Sequence, residues 1–282
     1  MKIKKNNRLI SPFRSFRSIV CMVTAFFLLG VSFLTAQSRD QRGLTVKIHS
    51  RVLNEERTMS ISLPEDYDTS QEVYSVLYVL DAEGDRLFPQ SVSTIDDLQK
   101  KGLVSQMIVV GIWNTHRNRD MIPAAVSHRP GSGGSDKFLT YIGEELVPYI
   151  NRTYRTDDFS ILYGMSNSAL FSVYALLETP ETFNAYIASS PMIGHCPEFI
   201  TSLAEAFVNK DAVSNRILYM IYGSEDSPRV TDLAPDFHDY LKSFAPRDFV
   251  SELVILEGEG HVPQSSLARA LQFIFEILKL AI

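Results

Sequence analysis

Three reactive side-chain types follow short apolar segments in the second half of the chain. Ser166 lies in the pentapeptide GMSNS, residues 164–168, which follows the apolar run ILY and precedes a second apolar segment. Glu225 and Asp226 follow ILYMIYG, and His261 follows LVILEGEG. A histidine can remove the proton of a serine hydroxyl near neutral pH, and a carboxylate can orient and stabilise the imidazole. Serine, acid and histidine in this order therefore predict nucleophilic catalysis.

The serine segment fits a sharp turn between a strand and a helix. Such a turn needs small residues two positions before and after the nucleophile, because strand and helix nearly collide there. Gly164 meets this requirement, whereas Ser168 replaces the usual second glycine and is a departure. An ordinary polar turn is the alternative interpretation. The position between a buried strand and a helix favours Ser166 as the nucleophile.

The candidate acid and the candidate base are selected because each follows a predicted strand. Asp226 is the predicted acid, and Glu225 is the alternative with a longer reach. His261 is the predicted base, although it could also be a plain loop residue. The other histidines lack this context: His49, His116, His128, His195 and His238.

The elements that must position these residues alternate along the chain. Nearly continuous apolar runs, such as VLYVL, MIVVGIW and ILYMIY, are typical of strands buried on both faces of a parallel sheet. Amphipathic patterns predict helices, the first over 136–149 with Ser135 as its N-cap and the others over 169–177, 198–208, 233–244 and 266–280. Residues 44–52 and 59–63 predict an opening hairpin with its turn at 54–56. We therefore expect an α/β fold with a doubly wound, mostly parallel sheet and an antiparallel N-terminal hairpin, and reactive groups at the carboxyl ends of its strands.

The first 37 residues have the pattern of an export signal. Six bases and no acids precede an apolar run over 19–34, which ends in Thr35-Ala36-Gln37. We expect cleavage of residues 1–37, a periplasmic or extracellular location, and no stable membrane association afterwards. An uncleaved anchor is the alternative.

Composition narrows the function class of residues 38–282, which we expect to form a single domain. Without the six signal bases, the remaining Lys and Arg against 33 Asp and Glu give a net charge of about −12. Such an acidic domain is unsuited to nucleic acid or an anionic membrane surface. Only Cys196 remains, so no intramolecular disulfide forms. No His/Cys/Asp cluster has metal-ligand spacing, so no metal or other cofactor is expected. No sequence feature predicts an oligomeric state.

Several blocks together resemble the family of putative esterases among the α/β-hydrolases, over most of residues 45–280. That family includes enterochelin and other siderophore esterases, feruloyl esterases and mycolyltransferases. The blocks that carry the resemblance are RTMSISLP with Tyr67, VLYVLD at 76–81, IVVGI with Arg119, Asp120 and Pro123, residues 136–154, and FNAYIASSP at 183–191.

The resemblance implies an α/β-hydrolase fold and a function. Ser166 would be the nucleophile, Asp226 the acid and His261 the base of a serine esterase that works through an acyl-enzyme. The backbone N–H of Asn167 would be one oxyanion donor, and Ala82 or Glu83 would supply the other. An acyltransferase with the same acyl-enzyme and a non-catalytic binding module on the same fold are the alternatives.

The substrate stays open between siderophore esters, carbohydrate esters such as feruloyl or acetyl esters, and thioesters. Met192-Ile193-Gly194-His195 stand where many siderophore-esterase relatives carry tryptophans. Arg117, Arg119 and Arg129 lie on loops that could approach a pocket, or they could be solvated.

Overall fold

The computed structural model of the chain describes residues 38–40, 43–210 and 215–280. The expected signal over 1–37 lies outside these residues. The described residues belong to one compact unit, Thr35–Ile282. None of the helices within the described residues is both long and apolar enough to span a membrane.

Within the described residues, nine strands form one sheet in the order β1-β2-β3-β5-β4-β6-β7-β8-β9. The first three strands and the β3–β5 pair are antiparallel, and every other neighbouring pair is parallel. The predicted mostly parallel sheet with an antiparallel N-terminal hairpin is confirmed. The strands are β1 Ser38–Asp40, β2 Gly43–Ser50, β3 Glu55–Ser62, β4 Tyr74–Val79, β5 Met107–Ile112, β6 Thr156–Met165, β7 Ala185–Ser189, β8 Ile217–Gly223 and β9 Val250–Leu256.

Helices connect the parallel strands and cover both faces of the sheet. They are α1 Leu87–Lys100, α2 Arg117–Met121, α3 Ser135–Tyr141, α4 Val147–Thr153, α5 Asn167–Glu178, α6 Pro197–Phe207, α7 Pro228–Thr231, α8 Ala234–Phe244 and α9 Ser266–Leu280. A π-helical turn, Ile142–Leu146, joins α3 to α4, and 3-10 turns span Pro180–Thr182 and Ile193–His195.

The strand side chains divide between two cores, one on each face of the sheet. Along β4, Tyr78 packs into one hydrophobic cluster, and its neighbours Leu77 and Val79 pack into the other. Alternating side chains thus enter opposite cores, which explains why the parallel strands read as continuous apolar runs rather than as alternating ones.

Several details differ from the sequence expectation, among them the division of the predicted helix over 136–149 into α3, a π-helical turn and α4. Helix α1 was not predicted, and Glu55 and Glu56 belong to β3 rather than to the hairpin turn. Ser135 is not a cap, because it is the first residue of α3 and its hydroxyl donates to the carbonyl of Asp120.

A buried ion pair joins the hairpin to the helical layer. Arg57 of β3 donates to Asp120 of α2 at 2.8 Å, and both side chains are fully buried. Glu55 also accepts from Arg57, at 2.9 Å. The guanidinium lies 4.9 Å from the centre of the Phe138 ring. Burying one such charge without its partner would lower the free energy of unfolding, because the charge loses its hydration and gains no compensating interaction.

Replacement of Asp120 by Ala should therefore destabilise the protein by about 3–5 kcal/mol, because it leaves the Arg57 charge buried with only part of its compensation. Urea unfolding at pH 7 measures this change in the free energy of unfolding. The exposed pair Lys47–Glu56, which also has an N–O distance of 2.8 Å but joins β2 to β3, is the matched control. Glu56→Gln should cost less than about 1 kcal/mol. Equal losses in the two variants would contradict this prediction.

Candidate active site

Ser166 occupies a strained turn between β6 and α5. Its φ of 61° and ψ of −118° lie in a region that non-glycine residues rarely adopt. Its N–H donates to the carbonyl of Ser189 at 2.9 Å, and its own carbonyl accepts from Leu170 at 3.1 Å. Strain of this kind persists only where the surroundings fix the backbone, and it often accompanies function.

The residues two positions either side of Ser166 explain the tightness of the turn. A Cβ on Gly164 would lie 2.1 Å from the carbonyl oxygen of Ser168, so only glycine fits there. Ser168 is fully buried, and its hydroxyl accepts from the Met165 N–H at 2.9 Å and lies 2.8 Å from Asp81 Oδ2. Ser168, which stands where a second glycine is usual, therefore adds hydrogen bonds from the turn to Met165 and to Asp81.

Asp226 and His261 meet at the carboxyl ends of β8 and β9. His261 Nδ1 lies 2.7 Å from Asp226 Oδ1, and the Asp226 side chain is fully buried. The N–H of Ser227 donates to the same carboxylate oxygen at 2.6 Å. The imidazole is 41% exposed, so its other edge is open to solvent. A proton on Nδ1 is held by the carboxylate, which leaves Nε2 as the acceptor.

Glu225, the alternative acid, is exposed and makes no side-chain hydrogen bond within the described residues. Its N–H instead donates to the carbonyl of Glu259 at 2.9 Å, which ties the acid turn to the loop that carries His261. A Cβ on Gly223 would lie 1.9 Å from that same carbonyl oxygen. The close approach of the two loops brings Asp226, and not Glu225, against the imidazole.

One of the expected oxyanion donors is engaged elsewhere. The Ala82 N–H donates to the carbonyl of Ile112 at 3.1 Å, and Ala82 is buried. The expectation for Ala82 is therefore corrected, because the backbone continues its contact with β5 at that residue. The N–H groups of Asn167, at the start of α5, and of Glu83 have no such partner within the described residues.

Ser166 and His261 line one cleft of about 630 Å³. Within the described residues, neither the Ser166 hydroxyl nor His261 Nε2 forms a hydrogen bond, and both groups are therefore available to a molecule in the cleft. Polar and charged side chains form most of the wall, including Asp81, Glu83, Arg86, Gln90, Thr94 and Arg117. No group of three potential metal-ligating residues occurs in the described part of the chain.

Comparison with known families adds an independent observation. The sequence pattern of the family described as "Putative esterase" matches residues 50–222, which is more than half of the chain. The chain belongs to this family.

Relatives of this esterase include proteins whose names state an activity. The chain is 27% identical to the ferri-bacillibactin esterase BesA of Bacillus subtilis over 226 residues, covering 71% of this chain and 78% of the relative. It is 29% identical to the siderophore triacetylfusarinine C esterase of Aspergillus fumigatus over 188 residues, which are 57% of this chain and 64% of that protein. Among solved structures, an IroE-like serine hydrolase from Shewanella oneidensis superposes with a TM-score of 0.72 at 28% identity, over 82% of this chain and 79% of that chain. The protein is thus an α/β-hydrolase, and it is a serine hydrolase that acts on ester bonds.

Asp81 and Arg117 line the cleft together with Ser166; the sequence had indicated only that Arg117 could approach a pocket, and it had indicated no role for Asp81. Asp81 has a φ of 53°, and its carboxylate receives Arg117 Nε at 2.9 Å and Nη2 at 2.7 Å. Asn114 also donates to Asp81, at 2.5 Å, and to Glu83. Arg117 is thereby held on the cleft wall as a fixed guanidinium, whereas Arg119 pairs with Glu55 and Asp120 away from it. A sequence signal was present, since Arg117 stands three residues before Asp120 and six before Pro123, whereas the family resemblance was based on Arg119 with the same two residues.

His195, which lacked a strand context in the sequence, contacts the residue after Ser166. Its Nε2 lies 3.1 Å from Asn167 Oδ1, and its Nδ1 lies 2.9 Å from His128 Nε2. His195 and Asn167 are both buried. Burial lowers the pKa of His195 to about 4, and the positive charge of Arg129 acts in the same direction. The neutral imidazole donates from Nε2 to Asn167 and accepts at Nδ1, which anchors the first residue of α5.

Acidification should destabilise the esterase through His195. An unfolded histidine takes up a proton below about pH 6.5, whereas the folded protein keeps His195 neutral down to about pH 4. The unfolded state therefore binds more protons between these values, and the free energy of unfolding falls as the pH is lowered through that window. We expect His195→Gln, which retains an N–H donor for Asn167, to lose less stability than the wild type between pH 7 and pH 4.5. The difference should be on the order of 2 kcal/mol.

Urea unfolding at the two pH values measures the difference. His49→Gln, at an exposed position on β2, is the control and should lose as much stability on acidification as the wild type. The prediction is wrong if His195→Gln and the wild type lose equal stability.

Proposed function

We propose that the protein is an exported serine esterase in which Ser166, His261 and Asp226 form the catalytic triad. The observation that carries this proposal is the 2.7 Å contact between His261 Nδ1 and the buried Asp226, at the edge of the cleft that holds Ser166. The carboxylate fixes the proton on Nδ1, so Nε2 can accept the serine proton. The family of the chain and the strained turn at Ser166 support the same assignment.

Acylation begins when the Ser166 oxygen attacks the ester carbonyl as its proton passes to His261 Nε2. The resulting imidazolium is stabilised by the Asp226 carboxylate. Negative charge develops on the former carbonyl oxygen, and the backbone N–H groups of Asn167 and Glu83 donate to it. Asn167 contributes further because it is the first residue of α5, where the helix dipole favours negative charge. His261 then protonates the leaving alcohol, and the acyl-enzyme remains on Ser166.

Deacylation repeats these steps with water as the nucleophile. His261 takes a proton from the water that attacks the acyl carbonyl, and it returns that proton to Ser166 as the acid leaves. The exposed edge of the imidazole gives water direct access to Nε2. An alcohol that occupied the same place would accept the acyl group, which is the acyltransferase alternative.

The proposed substrates are siderophore or carbohydrate esters. One relative is named a ferri-bacillibactin esterase and another a siderophore triacetylfusarinine C esterase, and a ferulic acid esterase shares the fold. The cleft of about 630 Å³ is lined mostly by polar and charged side chains, which suits a substrate with many hydrogen-bonding groups. Export rests on the basic and apolar segments of residues 1–37.

An ester panel tests the proposal. Purified residues 38–282 should hydrolyse p-nitrophenyl acetate, and a triscatecholate lactone and a feruloyl sugar would identify the preferred class through their kcat/KM values. Adding methanol or glycerol separates the two reactions. A hydrolase releases mainly free acid, whereas an acyltransferase gives mainly the new ester. Lack of turnover of every ester would count against catalysis and favour a binding module.

A further inference from the structure

Ser189 and Ser190 at the end of β7 contact both the candidate nucleophile and the loop of the candidate base. Strand β7 lies between β6, which ends next to Ser166, and β8, which leads to Asp226. The carbonyl of Ser189 accepts the Ser166 N–H at 2.9 Å. The hydroxyl of Ser190 accepts the Val262 N–H at 2.8 Å, one peptide beyond His261. Two adjacent residues thus connect both partners of the proposed proton transfer.

The loop that carries His261 needs such an anchor. Val262 has a φ of 59°, which is unfavourable for a β-branched residue and must be enforced by its surroundings. His261 itself is 41% exposed, so packing restrains it little. The Asp226 contact restrains only the Nδ1 edge of the ring. A backbone contact next to His261 is therefore required to fix the position of Nε2.

A second contact holds the far end of the same loop. The Ser189 hydroxyl donates to Ser266 Oγ at 2.8 Å, and Ser266 Oγ donates to the Pro263 carbonyl at 2.5 Å. Ser189, Ser190 and Ser266 are all fully buried. Their contacts are thus shielded from competing water, and they tie Val262 and Pro263 to the end of β7.

We propose that Ser190 is a positioning residue that sets the distance between the Ser166 hydroxyl and His261 Nε2. This inference rests on the proposed triad. Ser190 acts through the backbone of Val262 and does not touch the substrate. Loss of its hydroxyl frees the Val262 peptide to leave its unfavourable conformation, and His261 then reaches Ser166 less often.

Ser190→Ala and Ser190→Gly test the role of the hydroxyl. Ser190 has a φ of 54°, so glycine suits this backbone and guards against a folding defect. In both variants we expect kcat for p-nitrophenyl acetate to fall about 10- to 100-fold, with KM within about twofold of the wild type. The rate of fluorophosphonate labelling at Ser166 should fall in parallel, because it depends on the same activated hydroxyl.

Ser50→Ala is the matched control. Ser50 is also fully buried, and its hydroxyl also accepts a backbone N–H in a turn, that of Leu53 at 3.0 Å, far along the chain from the cleft residues. Its melting temperature should fall about as much as that of Ser190→Ala, while its kcat stays at the wild-type value.

Two outcomes would overturn the positioning role. One is a wild-type kcat in Ser190→Ala or Ser190→Gly, and the other is a loss of kcat in Ser50→Ala equal to theirs. Ser166→Ala, assayed alongside, separates this result from a failure of the triad. If Ser166→Ala is inactive while Ser190→Ala is fully active, the esterase assignment stands and only the role of Ser190 fails. Full activity of Ser166→Ala would instead refute the triad and with it the positioning role.

Discussion

Replacement of Ser166 by Ala should lower kcat for ester hydrolysis by at least about 10,000-fold and abolish labelling by a fluorophosphonate probe. Loss of the nucleophile from a serine triad leaves only the contributions of substrate binding and the oxyanion donors. The fold should be retained, because alanine at a φ of 61° is strained about as much as the serine it replaces. Initial rates with p-nitrophenyl acetate and mass spectrometry of the labelled protein measure the two effects.

Ser172→Ala provides the control, at a buried serine in α5, the helix that follows Ser166. Ser172 is fully buried, and its hydroxyl donates to the carbonyl of Ser168 one turn earlier. Its loss should leave both kcat and labelling close to wild type. Equal labelling of wild type and Ser166→Ala would end the assignment of Ser166 as the nucleophile. A large loss of activity in both serine variants would instead point to general disruption of α5.

The arrangement of the site could be predicted where chain order and sheet topology decide it. Ser166, Asp226 and His261 follow β6, β8 and β9, whose carboxyl ends all lie along one edge of the sheet. Continuous apolar runs identified β8 and the end of β6, where both faces are buried, whereas β9 is a half-buried edge strand that was recognised from its short apolar run at 253–256. Asp226 was preferred to Glu225 on sequence grounds, and the structure brings only Asp226 against the imidazole.

Contacts that depend on local backbone direction could not be predicted in the same way. Ala82 and Glu83 are adjacent, and only the geometry after β4 shows that the Ala82 N–H still pairs with β5. His195 follows no strand directly, and its approach to Asn167 depends on a 3-10 turn that has no strong sequence signal. Helix α1 was missed for a different reason: its buried face carries Ser91 between Phe88 and Ile95, so the apolar spacing is interrupted by a polar residue.

The hydroxyl contacts of the site show the same limit. In the sequence, Ser189 and Ser190 are simply two small residues at the end of a predicted strand. Nothing in their residue types indicates that the Ser190 hydroxyl binds the loop that carries His261. Ser168 was recognised as a departure from glycine, but its link to Asp81 became visible only in three dimensions. Residues whose side chains bind a neighbouring backbone are thus harder to recognise from the sequence than residues that take part in the reaction.

Replacement of Asp226 by Asn should lower kcat about 1,000- to 10,000-fold while KM changes little. The substitution removes the negative charge that stabilises the imidazolium, and an amide N–H turned towards Nδ1 would favour the tautomer with its proton on Nε2. That tautomer cannot accept the Ser166 proton. If the amide keeps its oxygen towards His261, its NH₂ group takes the place of Asp226 Oδ2, which is buried and has no hydrogen-bond partner within the described residues. Either orientation weakens the base, and steady-state kinetics with p-nitrophenyl acetate measures the loss.

Glu225→Gln is the matched control, since it neutralises the adjacent carboxylate in the same turn. Glu225 is exposed, and its backbone N–H contact with Glu259 is unaffected by the substitution. We therefore expect kcat within about twofold of wild type, because an exposed carboxylate that does not contact the imidazole contributes little to its charge state. The reverse pattern, with Glu225→Gln inactive and Asp226→Asn active, would transfer the acid role to Glu225. Such a result would require the acid turn to rearrange during catalysis, since only Asp226 reaches His261 in the structure.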